Sequence, residues 1–157
     1  MRYVSLSLLC LFIFSCGYSL VSKNPSKLGA VLIYESTPLN RLLVKNIKSN
    51  QGYVGLNLSK TDQVDLKIRI ISQRIGKFLS ATDKNLTPAV GSIEYYLDYE
   101  FILDDKIISQ SFYDSELYPY NTSNILSNDK ITEEIKNSFL DKALDDIKFN
   151  LIKISNG

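Results

Sequence analysis

Apolar and polar residues alternate along three stretches of the chain, which is the pattern of strands with one buried face. These stretches are residues 64–81, 92–103 and 106–118. Asp104 and Asp105 separate the last two, and such a pair favours a tight hairpin turn. A polar segment at 82–91 is predicted to be the loop that turns the chain back. A continuous apolar run at 29–36 predicts one more strand, buried on both faces.

Two segments have helical periodicity. The first, 37–52, offers Thr37 as an N-cap and Pro38 at the first helical position, and Gly52 is expected to end it. Its predicted apolar face consists of Leu39, Leu42, Leu43 and Ile47. The second, about 130–154, is a long amphipathic helix with one apolar stripe: Ile131, Ile135, Phe139, Ala143, Ile147, Leu151 and Ile154.

The order strand, helix, strand, strand, strand, helix predicts an α+β fold. We expect a two-layer sandwich in which two helices pack on one face of a four-stranded mixed sheet. The length of 157 residues fits a single domain, predicted at 29–157, preceded by a short tether at 16–28.

Residues 1–15 have the character of a signal peptide. Arg2 supplies the positive charge, and the apolar segment 4–14 has eleven residues, too few for a membrane span of about 20. The segment ends in Ile13-Phe14-Ser15-Cys16, which resembles a bacterial lipobox. We therefore expect Cys16 to be lipidated and to become the mature N-terminus.

The alternative is a short buried helix with a chance cysteine. Cys10 lies in the segment that would be removed, so the mature chain would keep Cys16 as its one thiol. A single leftover thiol is unusual in an exported protein unless it is modified. Gly17 follows the cysteine in place of the Asp that retains lipoproteins at the inner membrane. The predicted location is the outer membrane, on the periplasmic side, anchored by lipid.

Composition narrows the possible chemistry. The chain has no histidine and no tryptophan, and its net charge is +1. Without histidine, most zinc sites and most acid–base catalysis near neutral pH are removed, and a near-neutral chain is a poor nucleic-acid binder. Adjacent carboxylates such as Glu133 and Glu134 point apart on a helix and are expected to be solvated. We predict a protein that is not an enzyme, with no cofactor and no metal.

Charge is unevenly distributed along the chain. Between residues 41 and 84 there are nine basic and three acidic residues, whereas 94–146 contains thirteen acids and four lysines. One interpretation is that oppositely charged strands pair in the sheet. The other is a basic patch for an anionic ligand, formed by Lys67, Arg69, Arg74 and Lys77.

Tyrosines are concentrated in the two C-terminal strands and the loop that follows them. Half of them are expected in the core. The outward candidates, which would contact a partner enclosing the domain, are Tyr96, Tyr113, Tyr118 and Tyr120.

Three stretches together resemble the lipopolysaccharide-assembly lipoprotein (LptE) family. They are "CGYSL" after the lipobox, "GSIEYYLDYEFIL" in a strand, and "YPYNTSNILSNDKITEEI" leading into the last helix. The resemblance implies a plug inside the outer-membrane β-barrel LptD that assists its assembly and helps deliver lipopolysaccharide to the outer leaflet. In that setting, Arg69, Arg74 and Lys77 are the predicted contacts to lipopolysaccharide phosphates.

Two other functions remain open. The first is an outer-membrane lipoprotein that serves another complex as a binding module, such as an auxiliary subunit of a lipid transporter. The second is a periplasmic hydrolase, for which the sequence supplies no nucleophile–base set.

Overall fold

The computed structural model describes residues 28–59, 64, 66–85 and 87–155 of the chain. The predicted signal peptide, Cys16 and nearly all of the tether lie outside the described residues. Eight elements follow one another: β1 (Leu28–Ile33), α1 (Pro38–Ser49), α2 (Gln51–Val54), β2 (Leu56–Leu58), β3 (Leu66–Thr82), β4 (Pro88–Leu103), β5 (Lys106–Pro119) and α3 (Ile125–Ser155). No helix in these ranges is long and apolar enough to cross a membrane.

All five strands form one mixed sheet in the order β2-β1-β3-β4-β5. β1 runs parallel to both β2 and β3, while β3–β4 and β4–β5 are antiparallel. The α+β class and the mixed sheet agree with the prediction, but four strands and two helices were too few. β2 is only three residues long, so it carries no alternation that a sequence pattern could reveal.

The first helical segment differs from the prediction in its end. Thr37 caps α1 as expected, because its hydroxyl accepts from the backbone N–H of Asn40 at 3.1 Å. The helix stops at Ser49, and Gly52 lies inside the short α2 instead of ending α1. The left-handed position that ends α2 is Gly55, with φ of 84°.

One of the two hairpin connections is tighter than its sequence indicates, and the other is as predicted. The connection between β3 and β4 covers only 83–87, because the Asp83 carboxylate accepts from the N–H groups of Asn85 and Thr87 at 2.8 and 2.9 Å. The predicted loop at 82–91 was therefore too long; Pro88 begins β4, where a missing N–H costs little. The hairpin at Asp104 and Asp105 is confirmed, with φ of 47° and 64° as a two-residue turn requires.

The core lies between one face of the sheet, which we call the inner face, and the helices. Fully buried side chains come from the sheet (Ile68, Tyr95, Tyr99 and Phe101) and from the helices (Leu43, Ile47, Phe139 and Ile147). The stripe predicted for the last helix is confirmed, although α3 begins at Ile125, five residues early. Leu42 was assigned to the wrong face of α1 and is 40% exposed.

Two buried tyrosines of β4 have hydrogen-bonded hydroxyls. Tyr99 donates to Asp146 Oδ2 at 2.8 Å and accepts from Asn150 Nδ2 at 2.9 Å, so it joins the sheet to α3. The hydroxyl of Tyr95 accepts from Gln73 Nε2 at 2.6 Å. Burial raises the pKa of both phenols far above the usual value, and both stay neutral.

Candidate interaction site

The side of β3, β4 and β5 that faces away from the helices is a polar surface, which we call the open face. Cross-strand neighbours form three rows on it: Arg69–Glu100–Ser109, Ser72–Asp98–Ser111 and Arg74–Tyr96–Tyr113. Each row places a residue of β4 between a residue of β3 and one of β5. Such lateral pairs are the units that stabilise a sheet surface.

The first row contains an ion pair. Arg69 Nη1 lies 3.3 Å from Glu100 Oε2, and the Ser109 hydroxyl donates to Glu100 Oε1 at 3.4 Å. The Arg69 side chain is 41% exposed, so the pair contributes little to stability. This contact is of the kind expected if basic and acidic strands pair in the sheet.

The second row centres on Asp98, a partner for two hydroxyls. Ser72 and Ser111 each donate to one of its carboxylate oxygens at 2.7 Å. These bonds, from Ser111 first and then Ser72, lower the pKa of Asp98 below its usual value. The carboxylate is therefore ionised on the open face at neutral pH.

The third row is a stack of one cation and two aromatic rings. Arg74 Cζ lies 4.2 Å from the centroid of the Tyr96 ring, and the Tyr96 and Tyr113 ring centroids are 4.7 Å apart. The Tyr96 hydroxyl donates to Glu94 Oε2 at 2.7 Å, and this bond raises its pKa to about 12. The stack presents a flat amphipathic surface of the kind used for protein contacts.

A bulge in β3 decides which basic residues share the open face. The register with β4 shifts between Ile70 and Ser72, and Ile71 is left exposed. The shift moves Arg74 onto the side of Arg69. Lys77 then falls on the inner side, opposite the buried Ile93, where its Nζ donates to Thr132 Oγ1 of α3 at 2.8 Å.

The predicted basic set is therefore divided between two sides of the sheet. Lys67, Arg69 and Arg74 lie on the open face, whereas Lys77 lies at the edge of the helix layer. Whether any of them binds an anion remains a prediction, as does the lipidation of Cys16.

Of the four tyrosines predicted to point outward, Tyr96 and Tyr113 lie on the open face. Tyr113 is 54% exposed. Tyr118 was assigned wrongly: it is only 5% exposed, because its ring lies over the inner side of Gly91. Tyr120 is half-buried next to it, with ring centroids 6.4 Å apart.

The connection 83–87 lies at one end of the sheet, and we call this end of the domain the loop end. It contains a cavity that the sequence did not reveal. Its volume is about 310 Å³, and it opens between the ends of β3 and β5 and the start of α3. Its apolar lining includes Phe78, Leu79 and Ile125, all more than half exposed. The one sequence signal for this cavity was the presence of apolar residues at the strand ends, where apolar and polar residues no longer alternate.

These surfaces carry groups that could contact a partner or a ligand. Among the described residues, no group of three His, Cys, Asp or Glu side chains could hold a metal ion. The open face offers paired charges, hydroxyls and aromatic rings, and the loop end offers an apolar recess.

The fold is shared with bacterial lipoproteins of known structure. Rare lipoprotein B from Shewanella oneidensis superposes with a TM-score of 0.64 at 15% identity, covering 80% of this chain and 95% of that one. Lipoprotein B from Nitrosomonas europaea gives 0.63 at 12% identity, covering 80% and 84%. A minor lipoprotein from Acinetobacter baumannii gives 0.58 at 12% identity, covering 78% and 91%.

No protein-family model and no curated protein matches the sequence. At these low identities the likeness establishes the architecture. The chain thus has the fold of these three lipoprotein structures, of which it covers 84–95%.

Proposed function

We propose that this chain is an outer-membrane lipoprotein of the LptE family, acylated at Cys16, that occupies the lumen of the LptD β-barrel and takes part in lipopolysaccharide delivery. The observation that carries the proposal is the extent of the structural match: the shared fold spans 80% of this chain and 95% of rare lipoprotein B. The lipobox-like end of the leader supports it independently. We further propose that the role is not enzymatic and needs no cofactor, because the chain has no histidine.

The open face is the surface that best suits a barrel lumen. The interiors of outer-membrane barrels are polar, and some are plugged. Arg69 is already paired with Glu100, and Asp98 accepts two hydroxyl bonds, so enclosing this face does not strand these charges. Tyr113, on the edge strand β5, is an exposed aromatic residue of this face.

Affinity purification from gently solubilised outer membranes tests the partner. We expect a stoichiometric, heat-modifiable barrel of the LptD kind to be recovered with the tagged protein. If no barrel is recovered, the plug proposal is wrong, and a binding module for another complex becomes the better reading.

A matched pair of variants tests the contact surface. Tyr113 is 54% exposed on the open face, and Leu42 is 40% exposed on α1, away from the open face. We expect Tyr113→Arg to reduce recovery of the barrel and Leu42→Arg to leave it unchanged. Equal effects of the two substitutions would contradict the open face as the contact.

Lipopolysaccharide binding is proposed from charge alone. The bulge in β3 puts Lys77 on the other side of the sheet from Arg69 and Arg74, so Lys77 can serve as the control. The Arg69→Gln/Arg74→Gln double variant removes two cations from the open face, whereas Lys77→Gln removes one from the helix side. If the open face binds the phosphates, the double variant should weaken binding of purified lipopolysaccharide, and Lys77→Gln should have little effect. Unchanged binding in all variants would overturn the basic-patch proposal while leaving the plug proposal intact.

A further inference from the structure

The outward face of α3 changes character near its C-terminal end. Earlier in the helix this face is polar and carries acids such as Glu134 and Asp141. Residues 147–155 contain two lysines and no acidic residue, and the nearest acid on this face is Asp145, one turn earlier, which accepts from the Tyr53 hydroxyl at 2.8 Å. In the same segment, Phe149 and Ile152 are 57% and 41% exposed, although they lie outside the apolar stripe that packs on the sheet.

These side chains form a compact group that we call the basic–aromatic patch: Tyr53, Lys148, Phe149, Ile152 and Lys153. Lys153 Nζ lies 4.2 Å from the centroid of the Phe149 ring, and Lys148 Nζ lies 3.4 Å from that of Tyr53. Positions three and four apart share one helix face, so the two lysines flank Phe149 and Ile152. An apolar centre between lysines is the arrangement of a helix that lies at a membrane interface.

The N-terminal chain joins the domain beside this patch. The backbone N–H of Leu28, the first described residue, donates to the carbonyl of Gly55 at 3.1 Å, and Gly55 ends the helix that carries Tyr53. Cys16 is twelve residues before Leu28, so an acyl group there holds this end within at most about 40 Å of the bilayer.

We propose that the basic–aromatic patch binds the surface of an anionic phospholipid bilayer. Phe149 and Ile152 enter the boundary between headgroups and acyl chains, and Lys148 and Lys153 exchange their aromatic partners for lipid phosphates. This inference rests on the acylation of Cys16, which belongs to the proposed function, and it requires that this end of the domain extends out of the barrel lumen on the periplasmic side.

The loop end fits this occupant less well, although it is also apolar. Leu126 is 82% exposed there, but the residues that line the loop end set one cation, Lys77, against the acids Glu116 and Asp129, so anionic headgroups find no net positive charge. On α3, Phe149 of the patch lies 23 residues after Leu126 of the loop end, which corresponds to about 35 Å along the helix. The tether joins the domain beside the patch, so the patch is nearer to the anchor than the loop end is.

The experiment uses the absence of tryptophan from the chain. Phe149→Trp and Leu126→Trp each give the mature, acylated lipoprotein a single tryptophan, at opposite ends of the same helix, which can be excited selectively at wavelengths that tyrosine does not absorb. Each variant is reconstituted in vesicles of phosphatidylethanolamine and phosphatidylglycerol, with and without lipids brominated near the headgroup. We expect emission from Phe149→Trp to move to shorter wavelength and to be quenched by bromine, and emission from Leu126→Trp to stay that of a solvated indole.

Mass spectrometry of the same samples separates the possible failures. If Cys16 is acylated and neither variant changes, or both change alike, the patch does not bind the bilayer and the proposed function is untouched. If Cys16 carries no lipid, the anchor fails and this inference fails with it. A blue shift of Phe149→Trp without vesicles that grows with protein concentration would identify a second copy as the occupant and overturn the proposal.

Charge variants sharpen the result. In the Phe149→Trp background, Lys148→Gln and Lys153→Gln should each lower the equilibrium constant for docking roughly fivefold on anionic vesicles. Lys130→Gln, at the other end of α3, is the matched control and should leave it unchanged. Equal quenching in all three variants contradicts a role for the lysines.

Discussion

The two faces of the sheet use similar residues in opposite ways. Tyr95 and Tyr96 are neighbours in β4, yet Tyr95 is fully buried against α3, whereas Tyr96 lies on the open face between Arg74 and Tyr113. On the inner face, the position of a side chain is fixed by packing. On the open face, it is fixed by lateral contacts along rows that remain in water.

This difference teaches where stability and recognition are located. Burial of large apolar groups contributes about 1.5–3 kcal/mol per side chain. Exposed ion pairs and hydrogen bonds contribute about 1 kcal/mol or less, because water competes for the same groups. The open face is thus free to carry partner contacts at little cost to the fold.

The largest expected contrast is between two phenylalanines of α3. Phe139 is fully buried and stacks on Tyr95 with ring centroids 5.9 Å apart, so Phe139→Ala should lower the free energy of unfolding by about 3–5 kcal/mol. Phe149→Ala, on the outward side of the same helix, should cost about 1 kcal/mol or less. Urea denaturation measures both; equal losses would mean that the inner face is not the core.

The same substitution, glycine to alanine, can be made on each face of the sheet. An added Cβ at Gly91 would collide with Cζ of Tyr118, and at Gly76 it would lie 2.7 Å from the ring of Phe78. Tyr118 is buried, so Gly91→Ala must disturb packing and should cost about 1–3 kcal/mol. Phe78 is 52% exposed and its ring can swing away, so Gly76→Ala should change stability by about 1 kcal/mol or less. Thermal denaturation checks the order, which a greater loss in Gly76→Ala would reverse.

The fold was largely predictable because the helical repeat of apolar residues and their alternation in strands can be read from local sequence. The strands of the hairpin, the cap of α1 and the stripe of α3 all follow from patterns several residues long. β2 and α2 did not, since three or four residues carry no period. Pro88 and Gly91 were assigned to a loop, because their roles in β4 depend on a strand edge and on the Tyr118 ring, both of which come from tertiary contacts.

The candidate surfaces were only partly predictable for the same reason. The bulge at Ile71 reverses which residues of β3 face the helices, and nothing in the local sequence marks it. Arg74 and Lys77 therefore exchange sides relative to strict alternation. Tyr118 was misplaced because its burial depends on a glycine more than twenty residues away in the chain.

A third contrast concerns hydroxyl groups. Tyr99→Phe removes the partner of both Asp146 and the buried Asn150, and should cost about 1–3 kcal/mol, because a buried polar group is left unsatisfied. Tyr113→Phe, on the open face, should change the free energy of unfolding by about 0.5 kcal/mol or less. Chemical denaturation of both variants tests this order. No loss in Tyr99→Phe would mean that water replaces the hydroxyl and that this part of the inner face is wet.

The smallest expected effect tests whether the open face acts through its rows. Hydroxyl bonds from Ser111 and Ser72 lower the pKa of Asp98 in the folded state, so the unfolded state binds the proton more readily. The stabilisation is therefore present above the unfolded pKa of about 4 and is lost as pH falls through the lowered folded value. Asp98→Asn should flatten the acid side of the stability profile, measured by denaturation at a series of pH values. The Ser72→Ala/Ser111→Ala double variant should flatten it equally, because it removes the donors that lower the pKa. An acid limb as steep in both variants as in the unaltered protein would show that Asp98 gains nothing from its row. The open face would then be a polar surface whose rows do not stabilise the fold.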